Sequence, residues 1–85
     1  MNAIKWKNRA RKQLKKLPKP YQMPILDAVD TLEYPSDQWK NVVELKNHTY
    51  DYRMRVGRYR VLFDFDGTIH VVEIQEVKKR DERTY

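Results

Sequence analysis

Hydrophobic and polar residues alternate with a period of two over residues 50–56. This is the spacing of side chains on the two faces of a β-strand. Arg53 and Arg55 fall together on the polar face, behind a face of tyrosine, methionine and valine side chains. The pattern therefore predicts a strand with one apolar face and one basic face.

The residues that follow this strand predict a β-hairpin. Gly57-Arg58 places glycine first, as a type II′ turn prefers, and this two-residue turn matches the twist of paired strands. In that register Arg55 lies directly opposite Arg60, and Arg53 lies on the same face. Like charges that face each other destabilise a sheet, so we expect these three arginines to bind an anion such as phosphate.

Apolar spacing predicts the remaining elements. Side chains repeating with a helical period predict two helices, separated by Pro18-Lys19-Pro20. The predicted elements are a strand at 3–6, helices at 8–17 and 21–33, a short strand in the connector at 42–45, and strands at 50–56, 59–65 and 68–77. We therefore expect an α+β domain in the order βααβββ, with a helical hairpin packed on one face of a largely antiparallel four-stranded sheet.

A second hairpin, turning at Asp66-Gly67, offers a structural alternative to the anion site. A two-residue turn there would place Glu73 opposite Arg60. That cross-strand ion pair would contribute under about 1 kcal/mol. It would leave the other two arginines of the hairpin without a carboxylate opposite them, so we favour the anion site.

Composition limits the class of protein. A chain of 85 residues makes a single domain over 1–85. The absence of cysteine agrees with a reducing compartment and excludes a disulfide framework or a thiolate metal site. No apolar run approaches the roughly 18 residues of a membrane span. We therefore expect a cytoplasmic protein with no membrane partner.

The distribution of charge predicts a polyanionic partner. The formal net charge is +6, and residues 1–20 carry eight Lys or Arg and no acid. Such a segment is typical of a nucleic-acid-binding surface. A solvated helix face is the alternative, and the charge run alone does not separate the two.

Several segments together resemble the RelE/ParE superfamily of toxins from bacterial toxin–antitoxin pairs. They are the order βααβββ, Leu45-Lys46 before the hairpin, the hairpin Tyr-Arg-Met-Arg-Val…Tyr-Arg-Val-Leu-Phe, and the basic segment Val-Lys-Lys-Arg-Asp-Glu-Arg-Thr-Tyr. In this superfamily the RelE branch cleaves messenger RNA in the ribosomal A site without a metal. The ParE branch poisons DNA gyrase and is not known as a nuclease.

The resemblance to the RelE branch implies a set of site residues. The implied catalytic residues are Arg53, Arg55, Arg60, Arg80 and Tyr85, and Lys79 or Arg83 would fit in place of Arg80 after a shift along the chain. Candidate contacts to RNA or the ribosome are Lys46, which also matches the family pattern, and His48, Lys78, Lys79 and Arg83. Two departures stand out: RelE has lysines where this chain has Arg53 and Arg55, and RelE continues past the tyrosine.

Each implied residue type suits a distinct chemical role. Arginine stays protonated, with a pKa above about 12, and binds phosphate oxygens in bidentate fashion. Tyr85 would act as general base if neighbouring arginines lower its phenol pKa from about 10. Glu73 is the reserve base. We expect no metal and no cofactor, since the sequence contains no Gly-rich phosphate loop and no metal-ligand cluster.

These observations predict the toxin of a toxin–antitoxin pair. We expect a ribosome-dependent, metal-independent mRNA endonuclease that contacts messenger RNA and 16S ribosomal RNA in the A site, and that a cognate antitoxin neutralises. Two alternatives stay open: a ParE-like gyrase inhibitor without nuclease chemistry, and a non-catalytic RNA- or ribosome-binding module.

Overall fold

The computed structural model describes residues 1–80, so Arg83 and Tyr85 lie outside the described residues. The helices and strands follow one another as β1 (Ala3–Trp6), α1 (Asn8–Lys15), α2 (Lys19–Asp30), β2 (Val42–Glu44), β3 (Tyr52–Val56), β4 (Tyr59–Asp66) and β5 (Val71–Lys79). Short 3₁₀ turns at Thr31–Glu33 and Ser36–Gln38 follow α2. The predicted α+β class and helical hairpin are confirmed.

The strands form one sheet in the order β1-β5-β4-β3-β2. It has five strands rather than the predicted four, because the connector strand β2 pairs antiparallel with β3. Only the β1–β5 pair is parallel; β3, β4 and β5 form consecutive antiparallel hairpins. The sheet is therefore largely antiparallel, as predicted.

Both helices pack on one face of this sheet, called the inner face. Ala10 and Leu14 are the buried positions of α1, and Ile25 and Val29 are those of α2, each pair spaced by one helical turn. From the sheet, the core receives Met54, Tyr59, Val61, Phe63, Val72, Ile74 and Val77. The opposite face, called the outer face, carries the side chains that alternate with these core residues along the strands.

Helix α2 begins earlier than the predicted Tyr21. Its first residue is Lys19, and Pro20 occupies the first turn, where a missing N–H leaves no intrahelical hydrogen bond unmade. The helix then contains Pro24 in its interior. The proline pair thus marks the start of α2 rather than a break before it.

The hairpin of β3 and β4 has the predicted register. Val56 pairs with Tyr59, and Arg55 pairs with Arg60. Gly57 has a φ of 57°, the left-handed conformation that a type II′ turn needs at its first central position. The two-residue turn at Gly57 therefore fixes Arg55 beside Arg60.

The predicted register of the second hairpin is wrong. Asp66 pairs with Val71, so four residues, 67–70, form the turn instead of two. A β-bulge near Leu62 and Phe63 then shifts the register again. The wider turn places Glu73 opposite Asp64, and beyond the bulge Lys78 lies opposite Arg60, so the predicted Arg60–Glu73 pair does not form.

Candidate functional site

The side chains of the outer face form rows that cross the strands. Strand pairing places Arg55, Arg60 and Lys78 side by side on β3, β4 and β5. Asn41 extends this row past the start of β2, because its carbonyl oxygen accepts a hydrogen bond from the Arg55 backbone N–H at 2.9 Å. We call these four residues the basic row.

A second row lies next to the basic row on the same face. Val43 pairs with Arg53 between β2 and β3, Arg53 with Leu62 on β4, and Leu62 with Glu76 on β5. Arg53 therefore lies two residue pairs along the hairpin from the Arg55–Arg60 pair, at the next position on the same face. The three arginines of the first hairpin share one surface, as predicted.

Four arginines line a single cleft at this end of the outer face. The cleft has a volume of about 420 Å³ and is lined by Asn41, Val42, Val43, Arg53, Arg55, Tyr59, Arg60 and Arg80. Arg80 reaches the cleft because its backbone N–H donates to the carbonyl oxygen of Arg58 at 2.7 Å. This hydrogen bond continues the β4–β5 ladder to the turn of the first hairpin.

The basic row places like charges next to one another. Lys78, and not the predicted Glu73, lies opposite Arg60, and Arg55 lies on its other side. Cations directly opposite each other on a sheet cost stability. Such a concentration of cations suits a site for a polyanion.

Burial restricts the motion of two of the four arginines that line the cleft. Arg53 and Arg60 are half-buried, and the Nε atom of Arg60 is fully enclosed. Arg55 and Arg80 are exposed. Half-buried guanidinium groups lose less side-chain freedom when an anion binds, so this part of the site is the more pre-organised.

Glu76 is the carboxylate of the second row and links four side chains. It accepts hydrogen bonds from the Tyr50 hydroxyl (2.7 Å) and Gln13 Nε2 (3.4 Å). Its Oε2 lies 3.8 Å from Arg9 Nη1 and 3.7 Å from Lys78 Nζ. Helix α1 is thereby tied to the basic row through one carboxylate.

These contacts change the pKa values of both partners of the shortest hydrogen bond. Burial raises the pKa of Glu76, but the hydrogen bonds from Tyr50 and Gln13 and the charges of Lys78 and Arg9 outweigh it, so the net shift is downward. The hydrogen bond to Glu76 raises the pKa of Tyr50. Glu76 is therefore a weaker proton acceptor than an ordinary glutamate, and its role here is to hold cations.

The other predicted site residues are scattered. Lys46 and His48 are exposed residues of the loop before β3 and do not line the cleft; His48 Nδ1 accepts a hydrogen bond from the Tyr50 N–H at 3.2 Å. Lys79 pairs with the core residue Tyr59, so its strand position belongs to the inner face. Glu73, the reserve base, lies opposite Asp64 and does not line the cleft.

Sequence reasoning missed part of the cleft wall. Asn41, Val42 and Val43 line it from the edge strand β2, and Tyr59 lines it from the start of β4. Short edge strands give little periodic signal, but the position of Val43 opposite Arg53 follows once β2 is paired with β3. Glu76 was missed because the bulge in β5 changes which side chains reach the outer face.

Among residues 1–80 no group of three or more His, Cys, Asp or Glu side chains is arranged to hold a metal ion. No helix in this range is long and apolar enough to cross a membrane.

The family of the chain is shown by its sequence. Residues 4–84 match the family described as the ParE toxin of type II toxin–antitoxin systems, parDE. The chain therefore belongs to this toxin family and is a toxin of a type II toxin–antitoxin system, within the RelE/ParE superfamily predicted above. A search of curated protein sequences found no match.

Solved structures of RelE toxins share the fold. A chain of the archaeal RelE–RelB complex from Pyrococcus horikoshii OT3 is 29% identical, with a TM-score of 0.79 over 95% of this chain and 97% of that chain. A chain of the RelBE2 toxin–antitoxin complex from Mycobacterium tuberculosis is 21% identical, with a TM-score of 0.75 over 93% and 98%.

The isolated Escherichia coli RelE toxin is similar in fold and was solved without a partner. It is 20% identical, with a TM-score of 0.73 over 96% of this chain and 87% of that chain. The two preceding relatives were solved as complexes with antitoxins.

Proposed function

We propose that this toxin is a ribosome-dependent endoribonuclease that cleaves messenger RNA in the A site and so inhibits translation. The observation that carries the proposal is the convergence of Arg53, Arg55, Arg60 and Arg80 on one cleft. Four guanidinium groups around one cavity are suited to a phosphodiester, whose two non-bridging oxygens accept bidentate hydrogen bonds.

The cleft supplies charge stabilisation in this mechanism. Attack of a ribose 2′-oxygen forms a bond to the adjacent phosphorus and builds negative charge on the phosphorane oxygens. The bond from phosphorus to the 5′ oxygen then breaks, and that oxygen leaves and takes up a proton. Fixed guanidinium groups stabilise that charge more strongly in the transition state than in the substrate. Arg53 and Arg60, which are half-buried, are the best placed for this role because they reorganise least.

Proton transfer is assigned to Tyr85, whose role rests on the family resemblance and which lies outside the described residues. Positive charges nearby would lower the pKa of its phenol and make it a competent base. Among residues 1–80, the side chains that line the cleft include no carboxylate. The ribosome is expected to complete the site by fixing the message in the cleft.

Primer extension on translated messages tests this function. Purified toxin should cut messages on ribosomes and leave protein-free RNA intact. Tyr85→Phe should lower the single-turnover rate by at least about 10²-fold, the usual loss for a general base, with ribosome binding retained. Efficient cleavage of naked RNA, or full toxicity of Tyr85→Phe, would contradict the mechanism.

The second candidate is inhibition of DNA gyrase, and the description of the matching family as ParE toxins favours it. A gyrase inhibitor works by binding and needs no phosphate cleft. In a supercoiling assay the wild-type toxin would then block gyrase, and no cuts would appear in translated messages. On the first candidate we expect cuts and unimpaired gyrase, in the cytoplasm, where ribosomes act.

A further inference from the structure

The arginine cleft has one neutral wall. Arginines lie on the β3, β4 and β5 sides, whereas the β2 side is formed by Asn41, Val42 and Val43. Val43 is 48% exposed and lies directly opposite Arg53. Asn41 is exposed and adjoins Arg55. The apolar side chain of Val43 in β2 and the residue Asn41, which carries a carboxamide and precedes β2, thus lie next to Arg53 and Arg55. Neighbouring strands are about 4.8 Å apart.

Asn41 adopts a conformation that calls for an explanation. Its φ of 60° is left-handed, a region that glycine enters without strain and that asparagine tolerates better than most other residues. The hydrogen bond between its carbonyl oxygen and the Arg55 N–H (2.9 Å) fixes this backbone against β3. Glycine would satisfy the turn equally well. What asparagine adds is a carboxamide at the cleft.

The order of groups across the cleft matches a nucleotide and not a simple anion. A nucleotide carries a charged phosphate joined to a flat base, which has apolar faces and a polar edge. Arginine binds the phosphate, valine contacts the face of a base, and the asparagine carboxamide donates and accepts at a base edge. An inorganic anion would use only the arginines.

We propose that Asn41 and Val43 form a nucleobase subsite of the cleft. Asn41 hydrogen-bonds to the edge of the base next to the bound phosphate, and Val43 packs against its face. The subsite gives the toxin a preference among bases at the cut position. This inference rests on RNA being the substrate, as proposed above, and it adds a source of sequence selection to the arginine set.

Asn47 provides a matched control for a test of Asn41. It is also exposed and left-handed, with a φ of 55°, but it does not line the cleft. Asn41→Gly and Asn47→Gly therefore both replace asparagine by the residue best suited to the backbone. Both proteins should fold, with melting temperatures close to that of wild type, because glycine removes strain at each position.

The decisive measurement is the distribution of cuts over the codons of translated messages. Asn41→Gly should reduce the ratio of preferred to disfavoured sites by at least about 5-fold, the low end for one well-placed bidentate pair. Asn47→Gly should keep the wild-type distribution. An unchanged distribution for Asn41→Gly, or the same flattening in both variants, would overturn the proposal.

A binding measurement separates this proposal from the nuclease assignment. Purified toxin is titrated with an RNA trinucleotide and with the same trinucleotide lacking its central base, followed by NMR. Wild-type toxin should bind the intact trinucleotide at least about 5-fold more tightly, and Asn41→Gly should remove that difference. Equal affinities for wild type would refute the subsite even if messages are cut. A clear difference without cleavage would support it while the nuclease proposal fails.

Discussion

The outer face of the sheet has two charged ends of opposite sign, and they use their charges differently. Arginines gather around the cleft at the end near the first hairpin turn. At the other end Asp51, Asp64, Asp66 and Glu73 surround a second, more open depression. Leu62 and Glu76 lie between the two ends.

The carboxylates of the acidic end hold the local backbone in place. Asp64 Oδ1 accepts from the Asp51 N–H at 2.9 Å, and Asp51 Oδ2 accepts from the Phe65 N–H at 3.3 Å. Asp66 Oδ1 accepts from the Thr68 N–H at 2.9 Å and so shapes the second turn. Gln75 Nε2 donates to Asp64 and Glu73. These acids stabilise a loop and a turn.

A cluster of charged residues does not by itself identify a functional site. At the acidic end the charged atoms bond to nearby N–H groups, which is a structural use. At the basic end cations of three adjacent strands are placed side by side, at a cost to stability. Stability should therefore depend on the acidic end and activity on the basic end.

Arg60→Ala should have the largest effect on activity and should leave the fold intact. We expect a loss of at least about 10²-fold in single-turnover cleavage, as for removal of a transition-state donor. The protein should stay folded, because Arg60 is not part of the hydrophobic core. Arg11→Ala, on the exposed side of α1, is the control. Unfolding of Arg60→Ala would show that the arginine is structural.

Asp64→Ala should show the opposite behaviour. It removes the acceptor for the Asp51 N–H and for Gln75, and we expect a loss of about 1–2 kcal/mol in the free energy of unfolding. Cleavage per folded molecule should not change. Asp27→Ala, at an exposed position of α2, removes the same charge as a control. A large loss of activity in stable Asp64→Ala protein would contradict the division between the two ends.

Glu76→Gln should change the dependence of stability on pH. The pKa of Glu76 is lower in the folded state than its ordinary value of 4.5, so folding favours the ionised form. This contribution is complete above pH 4.5 and disappears as the pH falls through the lower folded-state pKa. The variant should lose about 1 kcal/mol at neutral pH and approach wild type in acid. Parallel acid-denaturation curves for the two proteins would refute this.

Lys78→Ala should have the smallest effect. Lys78 lies on the outer face beside Arg60, whereas Lys79 pairs with the core residue Tyr59. We expect a modest rise in KM for Lys78→Ala, with a shallower dependence on salt concentration because one phosphate contact is lost. Lys79→Ala should match wild type in both respects. Equal effects of the two changes would argue for a solvated tail.

The sequence predicts those parts of the structure that depend on only a few neighbouring residues. Gly57 and Arg58 define a tight turn, so the pairing of Arg55 with Arg60 followed from local chemistry. The second turn also contains a glycine, but it is widened by His70, whose φ of 57° is left-handed. No rule of turn composition assigns that conformation to histidine, so the register beyond it was wrong.

The cleft could be predicted in part for the same reason. Its arginines on β3 and β4 belong to one local hairpin, whereas Asn41 and Val43 depend on the pairing of an edge strand that is only three residues long. Glu76 depends on a β-bulge, which has no clear sequence signature. The charge pattern thus predicted the arginines that line the cleft, and tertiary structure supplied the neutral wall.

The parallel pairing of β1 with β5 has a consequence for how the protein is made. Residues 3–6 are synthesised early, but they pair with residues 71–74, which are synthesised much later. Strand β5 also lies between β1 and β4 in the sheet. Contacts between such distant segments form slowly. A nascent chain that lacks β5 has no partner for its first strand, and it also lacks Lys78 and Arg80. Completion of the fold and assembly of the cleft therefore coincide.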